Sequence, residues 1–192
     1  MNLNDLRINP EWTLFLDRDG VINRRLVNDY VKTWDEFEFL PGVPEALRLL
    51  SGCFKKILVV TNQQGIGKGI VLMEAVRNIH ALMVKEIQRT GGRIDGIYLS
   101  PYLEREAHPF RKPDTGMALA AKNDHPCLDF ARSVMVGDSE SDMEFGRRMG
   151  MVTVFIGEKS DFSMEKKKPY DFLFKDLLTF AGALIKDPEK NH

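Results

Sequence analysis

Five short apolar runs, separated by segments of helical periodicity, constrain this chain more than any other feature. They are Thr13–Asp17 (TLFLD), Ile57–Thr61 (ILVVT), Ile94–Leu99 (IDGIYL), Ser133–Gly137 (SVMVG) and Val152–Ile156 (VTVFI). Three of the five are continuous rather than alternating, the pattern of parallel strands covered on both faces. Between them, Val43–Leu50 follows Pro41-Gly42 with apolar residues at 43, 46, 47 and 50. Leu72–Gln88 carries a stripe of Leu72, Ala75, Val76, Ile79, Leu82, Met83 and Ile87, and Gly91-Gly92 ends it. Thr115–Lys122 and Ser139–Met149 are the remaining internal helices, and Asp171–Lys186 offers an edge strand and a closing helix. Alternation of strand and helix predicts an α/β fold, a doubly wound Rossmann-like parallel sheet with right-handed crossovers and helices on both faces. With 192 residues, the chain is read as one domain over residues 1–192. Gly157–Tyr170 (GEKSDFSMEKKKPY) is read as a loop whose Lys166–Lys168 run faces solvent.

In such sheets, functional residues gather where strands end and loops begin, at the carboxyl edge. The first run ends on Asp17, the second on Thr61-Asn62 and the fourth on Gly137-Asp138, so three polar clusters share that edge. Asp17, Asp19 and Asp138 bring together carboxylates whose like charges cannot all persist unpaired. A hard divalent cation resolves the conflict, and magnesium suits one or two carboxylates plus water and a substrate phosphate. Lys112 and the Thr61 hydroxyl add positive charge and a donor, as a pocket that neutralises a phosphoryl group requires. One carboxylate can attack phosphorus to give an aspartyl-phosphate, and a second, two residues on, can protonate the leaving oxygen and later activate water. Gly65-Ile66-Gly67-Lys68-Gly69 lacks the spacing and ending of a Walker loop and is read as a flexible turn before the next helix.

A formal net charge of −1, with 43% apolar and 29% charged residues, supplies no overall field for nucleic acid or an anionic membrane. No apolar run reaches the roughly 20 residues of a membrane span, and the first residues, MNLNDLRINPEW, contain no stretch of signal-peptide length. Cys53 and Cys127 read as reduced, packed thiols. A cytoplasmic protein without membrane partners is the expectation, and a monomer is compatible with it. Trp12 and Trp34 are read as packing or loop anchors. His80 falls off the apolar stripe of its helix and is expected to face solvent.

Four segments, in order, carry a family resemblance. DRDGVIN at 17–23, TNQQGIGKG at 61–69, RKPDTGM at 111–117 and VGDSESD at 136–142 resemble the four motifs of the haloacid dehalogenase superfamily of phosphatases, over about Thr13 to Ile156. The resemblance implies Asp17 as nucleophile and Asp19 as general acid/base. It implies Thr61 and Asn62 at the phosphoryl group, and Lys112 stabilising its charge. Asp17, Asp138 and the Asp19 carbonyl would ligate Mg2+. Arg111 would touch the substrate. Asp142 is read either as support for the metal's water shell or as an exposed helix acid.

Within the superfamily the chain is most similar to the heptose-bisphosphate and histidinol-phosphate phosphatases. The intervals between motifs leave no room for a large cap domain, so Asn23–Phe39 and Ser100–Phe110 would select the substrate. Many of that group carry a cysteine- and histidine-rich zinc loop before the Arg-Lys-Pro motif, whereas this chain reads SPYLEREAHPF with only His108. One histidine cannot build a four-ligand site, so no structural zinc is expected and His108 is read as a loop residue. Ser139 stands where a basic residue often follows the fourth-motif aspartate. The resemblance implies a magnesium-dependent phosphomonoesterase for a small sugar phosphate, with D-glycero-D-manno-heptose 1,7-bisphosphate first and histidinol phosphate next. A polynucleotide 3′-phosphatase shares the second and third motifs, but the near-neutral charge and the fourth motif speak against it. A catalytically silent phosphate-binding protein would be marked by loss of Asp17, Asp19 or Lys112, and all three are present.

Overall fold

The computed structural model describes residues 3–158 and 170–185. Most of the Gly157–Tyr170 loop, its lysine run included, lies outside the described residues. Six strands, β1 (Thr13–Leu16), β2 (Lys56–Asn62), β3 (Gly96–Ser100), β4 (Ser133–Gly137), β5 (Val152–Ile156) and β6 (Phe172–Phe174), form one sheet in the order β3-β2-β1-β4-β5-β6. Every neighbouring pair is parallel. Helices α1 (Val43–Cys53), α2 (Gln64–Gly67), α3 (Met73–Arg89), α4 (Gly116–Asp124), α5 (Glu140–Arg148) and α6 (Leu177–Ile185) connect and close them. The chain winds outward from β1 through β2 and β3, then returns to the other flank of β1 with β4. The strand order reverses there, which opens a crevice beyond the carboxyl ends of β1 and β4.

Because side chains alternate across a strand, each strand feeds two cores. Leu14, Leu16, Ile57, Val59, Val134, Val136, Val154 and Ile156 pack with α1, α3 and α6 through Leu47, Leu50, Ile79, Met83, Phe180 and Leu184. Phe15, Leu58, Val60 and Met135 pack on the other face with Met117, Ala118 and Ala121 of α4 and Phe145 of α5. With both faces covered, β1 is buried at all four positions, which explains its unbroken apolar run.

Some boundaries move. The third strand begins at Gly96 rather than Ile94, because the Asp95 carboxylate accepts the Ile57 N–H at 2.7 Å and the ladder to β2 opens only at Leu58. Leu72 is not part of the buried stripe; it precedes α3 and is 74% exposed. Cys127 is exposed rather than packed. The two tryptophans do anchor. Trp12 is buried, and Trp34 stacks on Phe37 with ring centroids 5.0 Å apart while Phe39 meets both edge-on. This cluster fixes the base of the loop joining β1 to α1, so residues 24–31 are held over the crevice. Among the described residues no helix is long and apolar enough to cross a membrane.

Leu47 is fully buried between α1 and the sheet. Leu47→Ala is expected to cost about 2–5 kcal/mol, read as a lowered urea midpoint with an unchanged slope.

Candidate active site

Asp17 directly follows β1 and continues its ladder, its N–H donating to Val136 O at 2.9 Å. The carboxylate is therefore carried to the crevice on rigid sheet and is 6% exposed. Lys112, in the loop before α4, reaches beneath it and is 3% exposed. Its three ammonium hydrogens match three acceptors: Asp17 Oδ1 at 2.8 Å, Asp142 Oδ1 at 2.6 Å and Val60 O at 2.7 Å. Burial alone would lower the lysine's pKa, but the charges of Asp142 and Asp17 outweigh it and hold the pKa above the ordinary value. Asp142 is thus not an exposed helix acid. It is buried in the first turn of α5, where it also accepts the Ser139 N–H at 3.1 Å, while the Ser139 hydroxyl caps the helix.

Asp138 completes a second grouping. Oxygens of Asp17, Asp138 and Asp142 lie within 4.8 Å of one another. Burial, then the Asp17 charge, pushes Asp138 up to about 8. Burial pushes Asp17 up to about 6 against the pull of Lys112. Such crowding favours a positive charge, and the Arg25 guanidinium supplies one. Its Nη2 donates to Asp138 Oδ1 at 2.7 Å and to the Asp19 carbonyl at 3.1 Å, and lies 3.9 Å from Asp17 Oδ2. These are the three groups that the family resemblance implies for the metal, gathered around one positive centre. An all-oxygen set of this kind fits magnesium. Gly20 makes the approach possible: its φ is +93°, and a Cβ there would stand 1.8 Å from Asp138 Oδ2.

The Asp19 carboxylate is held apart from that grouping. Arg18 Nη2 donates to both its oxygens at 2.7 and 2.8 Å. Asn23 and Gln63 add bonds of 2.9 and 2.8 Å. Burial opposes the charge, yet Arg18 and these donors hold the Asp19 pKa below the usual carboxylate range. Gln63 also donates to Thr61 Oγ1 at 2.8 Å, so one amide aligns the Thr61 hydroxyl with Asp19. Sequence reading missed this residue, although it stands directly after Asn62 in the second motif. His80 is not solvent-facing. It is 5% exposed, because the turn after β1 covers that flank of α3 and Arg18 Nη1 lies 3.2 Å from His80 Nε2.

Asn62 clasps the backbone of Lys112, accepting its N–H and donating to its carbonyl, both at 3.1 Å. The clasp ties the lysine loop to the end of β2. Above lies a cavity of about 590 Å³, lined by Arg25, Tyr30, Asn62, Lys68, Arg111 and Ser139 among others. The glycine-rich stretch is not the flexible turn expected from its composition. Gln64–Gly67 is a helical turn, its Gly67 N–H bonded to Pro101 O at 3.1 Å. Bare Gly65 admits the Tyr30 ring, and Lys68 Nζ sits 5.4 Å from that ring's centroid. In the Ser100–Phe110 loop, Tyr102 and His108 stack with centroids 3.3 Å apart, His108 Nδ1 accepts the Phe110 N–H at 3.1 Å, and Arg111 donates to Tyr102 O at 3.2 Å.

Lys112→Met removes the ammonium shared by Asp17 and Asp142; a loss of about 3–5 kcal/mol is expected, measured by urea unfolding. Gly20→Ala drives a methyl group at Asp138. Millimolar Mg2+ is expected to raise the parent's Tm, and the variant is expected to lose most of that rise, read by differential scanning fluorimetry.

Comparison with known proteins gives a consistent picture. A family described as HAD-hydrolase-like matches residues 109–179. The chain is 41% identical over 143 residues to D-glycero-alpha-D-manno-heptose-1,7-bisphosphate 7-phosphatase of Mycobacterium tuberculosis, covering 74% of this chain and 75% of that protein. It is 37% identical over 156 residues to D-glycero-beta-D-manno-heptose-1,7-bisphosphate 7-phosphatase of Rhodopseudomonas palustris, covering 77% and 84%. Among solved structures, D,D-heptose 1,7-bisphosphate phosphatase from B. bronchiseptica, complexed with magnesium and phosphate, superimposes with a TM-score of 0.81 at 27% identity, covering 91% of this chain and 98% of that one.

Proposed function

The chain belongs to the haloacid dehalogenase superfamily of phosphatases, among the heptose-bisphosphate phosphatases, and from that premise we propose that it hydrolyses the 7-phosphate of a D-glycero-D-manno-heptose 1,7-bisphosphate with magnesium as cofactor. The observation that carries the reading is the convergence of Asp17, Asp138 and the Asp19 carbonyl on one positive centre, beside a second carboxylate held apart by Arg18. Bound there in place of the Arg25 guanidinium, magnesium would draw charge from the phosphoryl oxygens.

The rest of the work falls to this chain's own residues. Asp17 attacks phosphorus, and a P–O bond to the enzyme forms as the bond to the leaving oxygen breaks. Lys112 keeps the Asp17 carboxylate ionised and oriented. Asp19 gives the departing alkoxide its proton; the negative charge of the incoming substrate favours the protonated acid against the pull of Arg18. Now ionised, Asp19 takes a proton from water as that water attacks phosphorus, which breaks the bond to Asp17 and releases phosphate. Thr61, fully buried near the end of β2 and bonded by Gln63, would offer its hydroxyl to the phosphoryl group. Asn62 serves through its clasp on the Lys112 backbone. Arg111 and Lys68, in the cavity wall, are the cations available to the rest of the substrate.

Magnesium alone is proposed, without structural zinc. In support, His108 is engaged by the Tyr102 ring and the Phe110 N–H, and the stretch before Arg111 contains no cysteine.

Three measurements test the reading. Asp17→Asn is expected to abolish Mg2+-dependent turnover; full activity in the variant would remove the nucleophile assignment. In a phosphate-ester panel ranked by kcat/KM, heptose 1,7-bisphosphates of both anomers are expected to exceed histidinol phosphate and 3′-phosphorylated DNA, and DNA as the best substrate would overturn the proposal. Metal analysis of the purified protein is expected to find zinc far below one atom per chain.

A further inference from the structure

We infer that His80, on α3 and outside the wall of the cavity, is a positioning residue for the reaction: through Arg18 it fixes the Asp19 carboxylate that serves the leaving oxygen. The inference rests on the acid/base role proposed above for Asp19.

Arg18 is 1% exposed, and a buried guanidinium is costly unless its donors are satisfied. One end of its fork is spent on Asp19, with Nη2 bonded to both carboxylate oxygens. The other end, Nη1, meets His80 Nε2 at 3.2 Å. Its Nε already has no partner among the described residues, so His80 is the acceptor that keeps a second buried donor from being orphaned.

Arginine can only donate in such a contact. His80 must therefore be neutral, with its proton on Nδ1 and the Nε2 lone pair turned to Arg18. Burial and then the Arg18 charge push the ring down to about 3, so the acceptor survives across ordinary pH. The three side chains form a buried line from α3 to the crevice: imidazole, guanidinium, carboxylate. The planar fork transmits the position of a helix side chain to Asp19. Without an acceptor at 80, Arg18 has reason to swing toward other oxygens, and Asp19 would keep only Asn23 and Gln63. Asp17, Asp138 and Lys112 are held by separate contacts and would stay in place.

That separation makes the inference testable. A sugar alkoxide needs a proton as it leaves, whereas p-nitrophenolate departs without one. The experiment measures release of the leaving group in the first turnover, with Mg2+, for heptose 1,7-bisphosphate and for p-nitrophenyl phosphate. His80→Leu is expected to slow release of the sugar alkoxide by at least about tenfold, within the range of acid catalysis, with KM changed by less than about twofold and p-nitrophenolate release nearly unaffected. His80→Gln, which restores an acceptor, is expected to recover most of the loss. Arg18→Lys keeps the charge but not the fork and should reproduce the leaving-group selectivity, which covers the case where His80→Leu does not fold. Equal slowing of both esters, no slowing of either, or no recovery in His80→Gln would overturn the inference. Asp19→Asn in the same assay separates the two levels. If it shows the selectivity while His80→Leu does not, only the link to His80 fails; if it shows none, the acid assignment itself is wrong.

Discussion

One buried ammonium holds the centre together. Lys112 Nζ donates to Asp17, Asp142 and the Val60 carbonyl, and so joins the end of β1, the first turn of α5 and the body of β2. Burial opposes the charge on Lys112 and on Asp17. Their salt bridge, and that of Lys112 with Asp142, offsets the cost, and geometry follows from that electrostatic need. The Asn62 clasp shows the same dependence from the backbone side: the loop that delivers Lys112 is pinned where a small displacement would leave charges stranded. Stability and reactivity are coupled at this point, because the ion that secures the interior also keeps Asp17 an anion.

From this core the crevice divides into two electrostatic compartments. Asp17, Asp138 and Asp142 are crowded, and their repulsion seeks a cation. Asp19, two residues from Asp17 in sequence, is compensated in full by Arg18, Asn23 and Gln63. Just beyond Asp19, the positive φ of Gly20 turns the chain back without a side chain in the path of Asp138. Adjacent acids thereby acquire different environments, and different environments are what give two carboxyl groups different tasks.

Much of this was legible in the sequence, for identifiable reasons. Strands buried on both faces leave continuous apolar runs, and acids at their ends mark the carboxyl edge, so Asp17, Thr61 and Asp138 could be placed by counting. The motif resemblance reached Lys112 and Arg111, whose loop no periodicity describes. Contacts between distant segments were hidden. Asp142 could be read equally as an exposed helix acid, because its partner lies thirty positions away. His80 looked exposed because helical periodicity registers apolar neighbours and is blind to a buried arginine arriving from another turn. Gln63 stood within a recognised motif, yet its two bonds depend on where Asp19 turns its side chain. Glycine spacing suggested flexibility at 65–69, whereas there it makes room for Tyr30.

The charged floor of the crevice and the wall of the cavity are consequently built by different parts of the molecule. The sheet edge holds Asp17 through a ladder bond to Val136 O and carries Asp138 directly after β4. The cavity wall above is built from loops that lock onto one another: Tyr30 against Gly65 and beneath Lys68, Gly67 against Pro101, Arg111 against Tyr102. Tyr102 and His108 brace the Ser100–Phe110 segment by ring stacking. A loop fixed by ring stacking and backbone bonds can change its sequence without disturbing the buried charges below, since none of these braces touches Asp17, Asp142 or the Lys112 ammonium. A charge-locked floor and a contact-locked wall are thus physically separate, and a change in one need not propagate to the other.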